Sequence, residues 1–133
     1  MDSDRTDGPL RGSLRPRGPV QFEIAQHRRD GYIGVSVSGE LDVLTAPRLA
    51  NTLLPLIRQD PGNVVIDLSQ ARFIDSVGLH ALLNAQRRLT RRGHRLAVIA
   101  GPGQVRDMIE LARLSDTLGL VFSWDELRQR RVA

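Results

Sequence analysis

The sequence predicts an α/β domain: a mixed, mostly parallel sheet of about four to five strands, packed by about four helices. Three observations carry this. Strand-like apolar runs alternate with single helical patterns along the chain. The run Val64-Val65-Ile66-Asp67-Leu68 is almost continuously apolar, the mark of a strand covered on both faces. Turn residues at Arg29-Asp30-Gly31, Pro61-Gly62, Gly93 and Gly101-Pro102-Gly103 separate the patterned segments. At 133 residues the chain is one domain, long enough to bury a core.

Residues 1–19 are rich in Asp, Arg, Gly and Pro and read as a mobile tail, leaving 20–133 as the domain. A first strand falls around Gln21–Ala25. Tyr32–Ser38 is a second, with Ile33, Val35 and Val37 facing one way and Ser36 and Ser38 the other. Thr45 can cap a helix whose one face carries Leu49, Leu53, Leu56 and Ile57, and Pro55 inside that pattern should kink or shorten it. After the Val64–Leu68 strand, a short loop leads to a helix with Leu79, Leu82, Leu83 and Leu89 inward and its arginines outward. Arg95–Ala100 gives another strand, then a helix with Val105, Met108, Ile109 and Ala112 on one face, then the short strand Leu120–Phe122. Ser123-Trp124-Asp125-Glu126 is a capping-box pattern that opens the last helix.

Composition removes several function classes. There is no cysteine, so disulfides, thiolate catalysis and cysteine-based metal sites are absent. All 19 Lys+Arg residues are arginine, which excludes a lysine-bearing phosphate loop, Schiff-base chemistry and a protein-kinase nucleotide site. No apolar run approaches the roughly 20 residues of a membrane-spanning helix. The start, with Asp2, Asp4 and Asp7, lacks the pattern of a signal peptide, so a cytoplasmic protein without membrane insertion is expected. The net charge is +4, with Arg87, Arg88, Arg91, Arg92, Arg95 and His94 clustered near one helix end. An anionic partner or a helix C-terminus solvated by cations both account for that cluster. With no interleaved aromatics, direct nucleic-acid binding is not expected.

The segment Phe73-Ile74-Asp75-Ser76-Val77-Gly78-Leu79 holds the main candidate site. A serine in the first turn of a helix lies beside N–H groups that have no partner within the helix. It can act as a cap, and the same N–H groups and the helix dipole would hold a phosphate attached to it. Ser76 lies outside a G-x-S-x-G elbow, and His80, one turn on, is poorly placed as a triad base. His27, His80 and His94 lack metal-ligand spacing. Asp67 invites comparison with a receiver-domain phospho-acceptor, but the lysine that chemistry needs is missing. Gly101-Pro102-Gly103-Gln104 lacks dinucleotide-binding spacing and reads as a turn.

Gly39-Glu40-Leu41-Asp42 with Thr45-Ala46, then Val65-Ile66-Asp67-Leu68, then Phe73–Leu79, and finally Pro102, Val105 and the helix to Leu114, together resemble the bacterial STAS-domain anti-sigma-factor antagonists. The resemblance covers roughly Val20 to Gln129, and it implies partner switching. The unmodified protein would bind an anti-sigma factor that is also a serine kinase and free the sigma factor. The kinase, bringing its own ATP and magnesium, would phosphorylate Ser76 and break the complex, and a phosphatase would restore it. By the same resemblance Asp42, Asp75, Ser76, Val77 and Gly78 are the partner-binding residues, with Asp75 positioning the hydroxyl or shaping the kinase contact and Gly78 either admitting the partner's backbone or serving packing. The chain itself would be no enzyme and need no cofactor. Many members carry Ser or Thr after the first serine; here Val77 leaves Ser76 as the motif's only hydroxyl. The other readings are a non-switching STAS subunit or regulator of a transporter or sensory complex, and a small serine hydrolase using Ser76.

Overall fold

A computed structural model describes residues 21–132, and the tail expected at 1–19 lies outside the described residues. Strands β1 (Glu23–Arg29) and β2 (Tyr32–Leu41) form a hairpin through Asp30-Gly31, whose positive φ values of 54° and 83° suit a tight turn. From β2 onward, single helices alternate with strands: α1 (Ala46–Arg58), β3 (Val64–Ile74), α2 (Ser76–Arg91), β4 (Leu96–Ile99), α3 (Gln104–Leu111), β5 (Leu120–Val121) and α4 (Trp124–Val132). The five strands lie in the order β1-β2-β3-β4-β5, antiparallel only between β1 and β2. This is the mixed, mostly parallel α/β sheet that the sequence predicts.

Crossovers between neighbouring parallel strands are right-handed, so sequential strand order puts α1, α2 and α3 on one face. Their inward residues, among them Leu49, Leu53, Ile57, Leu82, Leu89 and Ile109, join Val35, Val37, Val64, Ile66 and Val98 in one core. The opposite face is covered by α4. There Trp124 and Leu127 pack with Tyr32, Val65, Ala97, Ile99 and Val121. The Trp124 indole N–H donates to the Asp67 carboxylate at 3.1 Å, which gives that residue a structural role in holding α4 down.

Several local expectations are corrected. β1 begins at Glu23 and runs to Arg29, later than expected, because its residues pair one for one with Tyr32–Ser38. β3 continues past Leu68 to Ile74, where a loop was expected. The end of β2 offers it partners as far as Leu41↔Ile74, and register shifts at Ser36/Ser38 and Gly39/Glu40 absorb the irregularity. Pro55 does not shorten α1, which runs on to Arg58. Pro55 is exposed, so the hydrogen bond it lacks is on the wet side, while Leu49, Leu53 and Ile57 keep the inner face intact. Thr45 occupies the N-cap position of α1 without a side-chain capping bond, since its Oγ1 turns back to accept from the Asp42 N–H at 2.9 Å while its hydroxyl donates to the Glu40 carbonyl at 2.5 Å. Ala112 lies past the end of α3 and is exposed.

Other signals hold as read. Gly93, at φ 80°, ends α2, and the following N–H of His94 returns to the Leu89 carbonyl at 2.9 Å. The Glu126 N–H donates to Ser123 Oγ at 3.2 Å, while the Glu126 carboxylate accepts from the Phe122 N–H at 2.6 Å, a capping box displaced by one residue.

Candidate functional site

The carboxyl ends of β2, β3 and β4 open onto one edge of the sheet, where the loops leading into α1, α2 and α3 gather. Leu41 and Ile74 are the paired last residues of β2 and β3, so the loop Asp42–Thr45 and the start of α2 are neighbours. The Asp75 N–H donates to the Leu41 carbonyl at 3.2 Å and ties the two segments together.

Asp75, rather than Ser76, is the N-cap of α2. Its extended backbone (φ −110°, ψ −173°) directs the carboxylate over the first turn, and it accepts from the Gly78 N–H at 2.9 Å. Ser76 is therefore the first residue of the helix, exposed, with its hydroxyl spared from capping. The N–H groups of Ser76 and Val77 have no protein acceptor. A cap one residue earlier thus leaves a free hydroxyl and two free donors at the positive end of a helix of 16 residues.

Asp42 organises the neighbouring loop. Its Oδ1 accepts from the Leu44 N–H at 3.0 Å and the Thr45 N–H at 3.1 Å, and its own N–H donates to Thr45 Oγ1 at 2.9 Å. This turn presents Val43 and Leu44 outward, 60% and 81% exposed, and the neighbouring β3–α2 segment exposes Phe73 at 38% and Val77 at 41%. Only Leu111 and Phe122 join them as large exposed hydrophobics among the described residues. Large apolar side chains exposed on these two adjoining segments depart from the ordinary polar make-up of a loop edge.

Gly78 is buried. A Cβ there would lie 2.4 Å from the Leu41 carbonyl oxygen and 2.9 Å from side-chain atoms of Leu41 and Ile74. The close approach it permits is between α2 and the end of β2. Of the residues named from sequence, Asp42, Asp75, Ser76 and Val77 come together at the surface, with Gly78 beneath them. Ser76 and His80 are both exposed and share no hydrogen bond. Among the described residues no three His or carboxylate side chains converge on a metal site, and no helix is long and apolar enough to cross a membrane.

Sequence reasoning missed Val43, Leu44 and Gln104. The signal for the first two was an apolar pair between two turn-forming polar residues, where a loop is ordinarily polar. Gln104 gave no signal, because its role is tertiary. Its side-chain amide accepts from the Ile74 N–H at 2.9 Å and donates to the Ile74 carbonyl at 2.8 Å, satisfying the last residue of β3 as another strand would. Gln104→Ala should lower stability by about 1–3 kcal/mol, the cost of leaving such groups unpaired. Gln104→Glu, which can accept but not donate when ionised, should also be destabilising. Urea unfolding monitored by Trp124 fluorescence checks both.

A family model described as "Mlab, STAS domain" matches residues 24–122. The chain belongs to the STAS domain family. The match spans the described fold from β1 through β5 and contains both segments of the candidate site. Among similar proteins, this STAS domain is 26% identical over 99 residues to an anti-sigma-B factor antagonist of Staphylococcus aureus, covering 74% of this chain and 92% of that protein. The crystal structure of an anti-sigma factor antagonist from Mycobacterium paratuberculosis superposes with a TM-score of 0.76 at 32% identity, covering 83% of this chain and 93% of that one. The Bacillus cell-fate determinant SpoIIAA in its phosphorylated form gives a TM-score of 0.64 at 18% identity, covering 85% of this chain and 100% of that one, a likeness of fold alone.

Proposed function

We propose that this STAS domain is an anti-sigma-factor antagonist acting by partner switching, with Ser76 as the switch. The observation that carries the reading is the placement of Ser76: exposed, spared from capping by Asp75, next to two free N–H donors, at an edge whose adjoining segments expose Val43, Leu44, Phe73 and Val77. The names of the Staphylococcus and Mycobacterium relatives support the same role.

In the unmodified state the apolar edge docks on an anti-sigma factor that is a serine kinase, and the sigma factor held there is released. Asp42 shapes the docking loop. Asp75 fixes the first turn of α2, so that the Ser76 hydroxyl meets the kinase in one geometry. The kinase supplies ATP and magnesium; Ser76 Oγ bonds to the γ-phosphorus as the bond from that phosphorus to the departing ADP breaks, and the hydroxyl proton passes to a base of the kinase. The phosphate then adds about −1.5 to −2 charges at an edge that already holds Asp42 and Asp75. The free N–H groups and the helix dipole accommodate it within the fold. A docked partner meets like-charge repulsion and a desolvation cost, and the complex opens. A phosphatase resets the protein, which acts in the cytoplasm, without catalysis or cofactor of its own and without direct contact to nucleic acid.

The test is incubation of the purified chain with the anti-sigma factor of its own organism and Mg-ATP, followed by peptide mass spectrometry. One phosphate on Ser76, and none on the Ser76→Ala variant, is the expected result. Phosphate on another residue, or none, overturns the reading.

A further inference from the structure

We infer that the groove between α1 and α2 is a second docking site, built for an acidic amphipathic helix of a partner protein. The groove has a volume of about 220 Å³ and runs from Ala46 and Val77, at the start of the two helices, to Ile57 and Arg88 near their ends. Leu53, Ile57 and Ala85 form its buried floor, and the half-buried Ala50, Leu54 and Ala81 form its sides. The small residues at 50, 81 and 85 leave room for another backbone to come close, as helix packing requires. Ala46 to Ile57 spans about 16 Å at 1.5 Å per residue, about three turns of a docked helix.

Charge selects the occupant. Across the 13 residues of α1 and the 16 of α2 there is not one carboxylate. Arg88 continues the Val77-Ala81-Asn84 stripe of α2 and lines the far end of the groove, and Arg58 follows Leu54 by one turn on the Pro47-Ala50-Leu54 stripe of α1. Neither they nor Arg87 and Arg91 have a carboxylate partner among the described residues, since the nearby Asp60 is taken by Arg92 at 2.9 Å. At the near end the Asp75 and Asp42 carboxylates offset the N-termini of the two helices, so the net positive charge lies at the far end. Helix dipoles account for cations at C-termini, but not for the absence of acidic residues along two whole helices. An apolar floor that is electropositive at its far end complements a helix with an apolar stripe and acidic flanks that meet that end.

The near end of the groove adjoins Ser76 through Val77, but its charged far end does not. Arg88 lies 12 residues farther along α2 than Ser76, about 18 Å away at 1.5 Å per residue. The probe is a display library of helical peptides with a fixed apolar stripe and randomised flanks, selected against the whole chain. The expected result is enrichment of Asp and Glu on the flanks, with amide shift changes at Ala50, Leu54 and Ala81. Arg88→Glu and Ala81→Glu should each weaken the selected peptides about tenfold or more. Neutral or basic peptides, a footprint on another face, or unchanged affinity in Arg88→Glu overturns the proposal. So does a groove that takes anionic lipid vesicles and no peptide. Because the probe contains no kinase, loss of the switch at Ser76 and loss of the groove are read separately.

Discussion

Ser76→Asp should bind the anti-sigma factor at least about a hundredfold more weakly than the unmodified protein, which corresponds to a loss of about 3 kcal/mol. Ser76→Ala should bind within a few-fold of wild type and remain permanently active. The asymmetry follows from where the hydroxyl sits. Ser76 is exposed and caps nothing, because Asp75 takes the Gly78 N–H, so removing Oγ costs the fold little. A carboxylate in its place is welcome to the isolated helix, since negative charge in the first turn contributes about 0.3–1 kcal/mol. Stability should therefore stay level or rise slightly while binding collapses.

The loss belongs to the interface. A docked partner strips water from a charge lying among exposed apolar side chains and two carboxylates, and no cation of this edge lies within the first turn of α2 to offset it. Calorimetric titration of the three proteins with the anti-sigma factor, together with their melting curves, separates the two effects. Equal affinities for Ser76→Asp and wild type would mean that charge at this position does not govern docking.

The legible parts of this chain were those where local chemistry and tertiary context ask for the same thing. Val64–Leu68 reads as a covered strand because it is one. Gly93 ends α2 because only a positive φ closes that turn cheaply, and Asp30-Gly31 makes the hairpin for a similar reason. The misreadings occur where a distant segment decides. Ser69–Phe73 has the composition of a loop, but β2 supplies it with partners and makes it strand. Thr45 looks like a cap, but the Asp42 N–H and the Glu40 carbonyl hold its hydroxyl away from the helix.

At the site, Asp75 and Ser76 were legible as a pair and their division of labour was not. Which of two adjacent polar residues caps a helix depends on where the strand before it stops. The groove between α1 and α2 was invisible for a related reason. Its alanines read as helix formers in sequence and become a concave surface only when the two helices lie side by side.

The second large effect concerns Gly78. Gly78→Ala ordinarily gains about 0.8–1 kcal/mol in helix propensity, so an exposed site would be stabilised. Here the added Cβ falls 2.4 Å from the Leu41 carbonyl oxygen, a backbone atom that cannot rotate away, and 2.9 Å from the Leu41 and Ile74 side chains. Relief requires the start of α2 to move away from the end of β2. That movement stretches the Asp75 N–H bond to Leu41, drawn at 3.2 Å, and shifts the loop that follows Leu41. Overpacking of this kind costs about 1–3 kcal/mol and more when backbone must move, which outweighs the propensity gain. A fall in melting temperature on the order of 10 °C is expected. Since Asp42–Thr45 and Ser76 are positioned through the same contact, binding to the anti-sigma factor should weaken as well, even well below the melting temperature. This distinguishes Gly78→Ala from Ser76→Asp, which loses binding with its stability intact. A Gly78→Ala variant as stable as wild type would show that α2 and β2 are not locked at this point. The precision of the switch would then have to come from Asp75 alone.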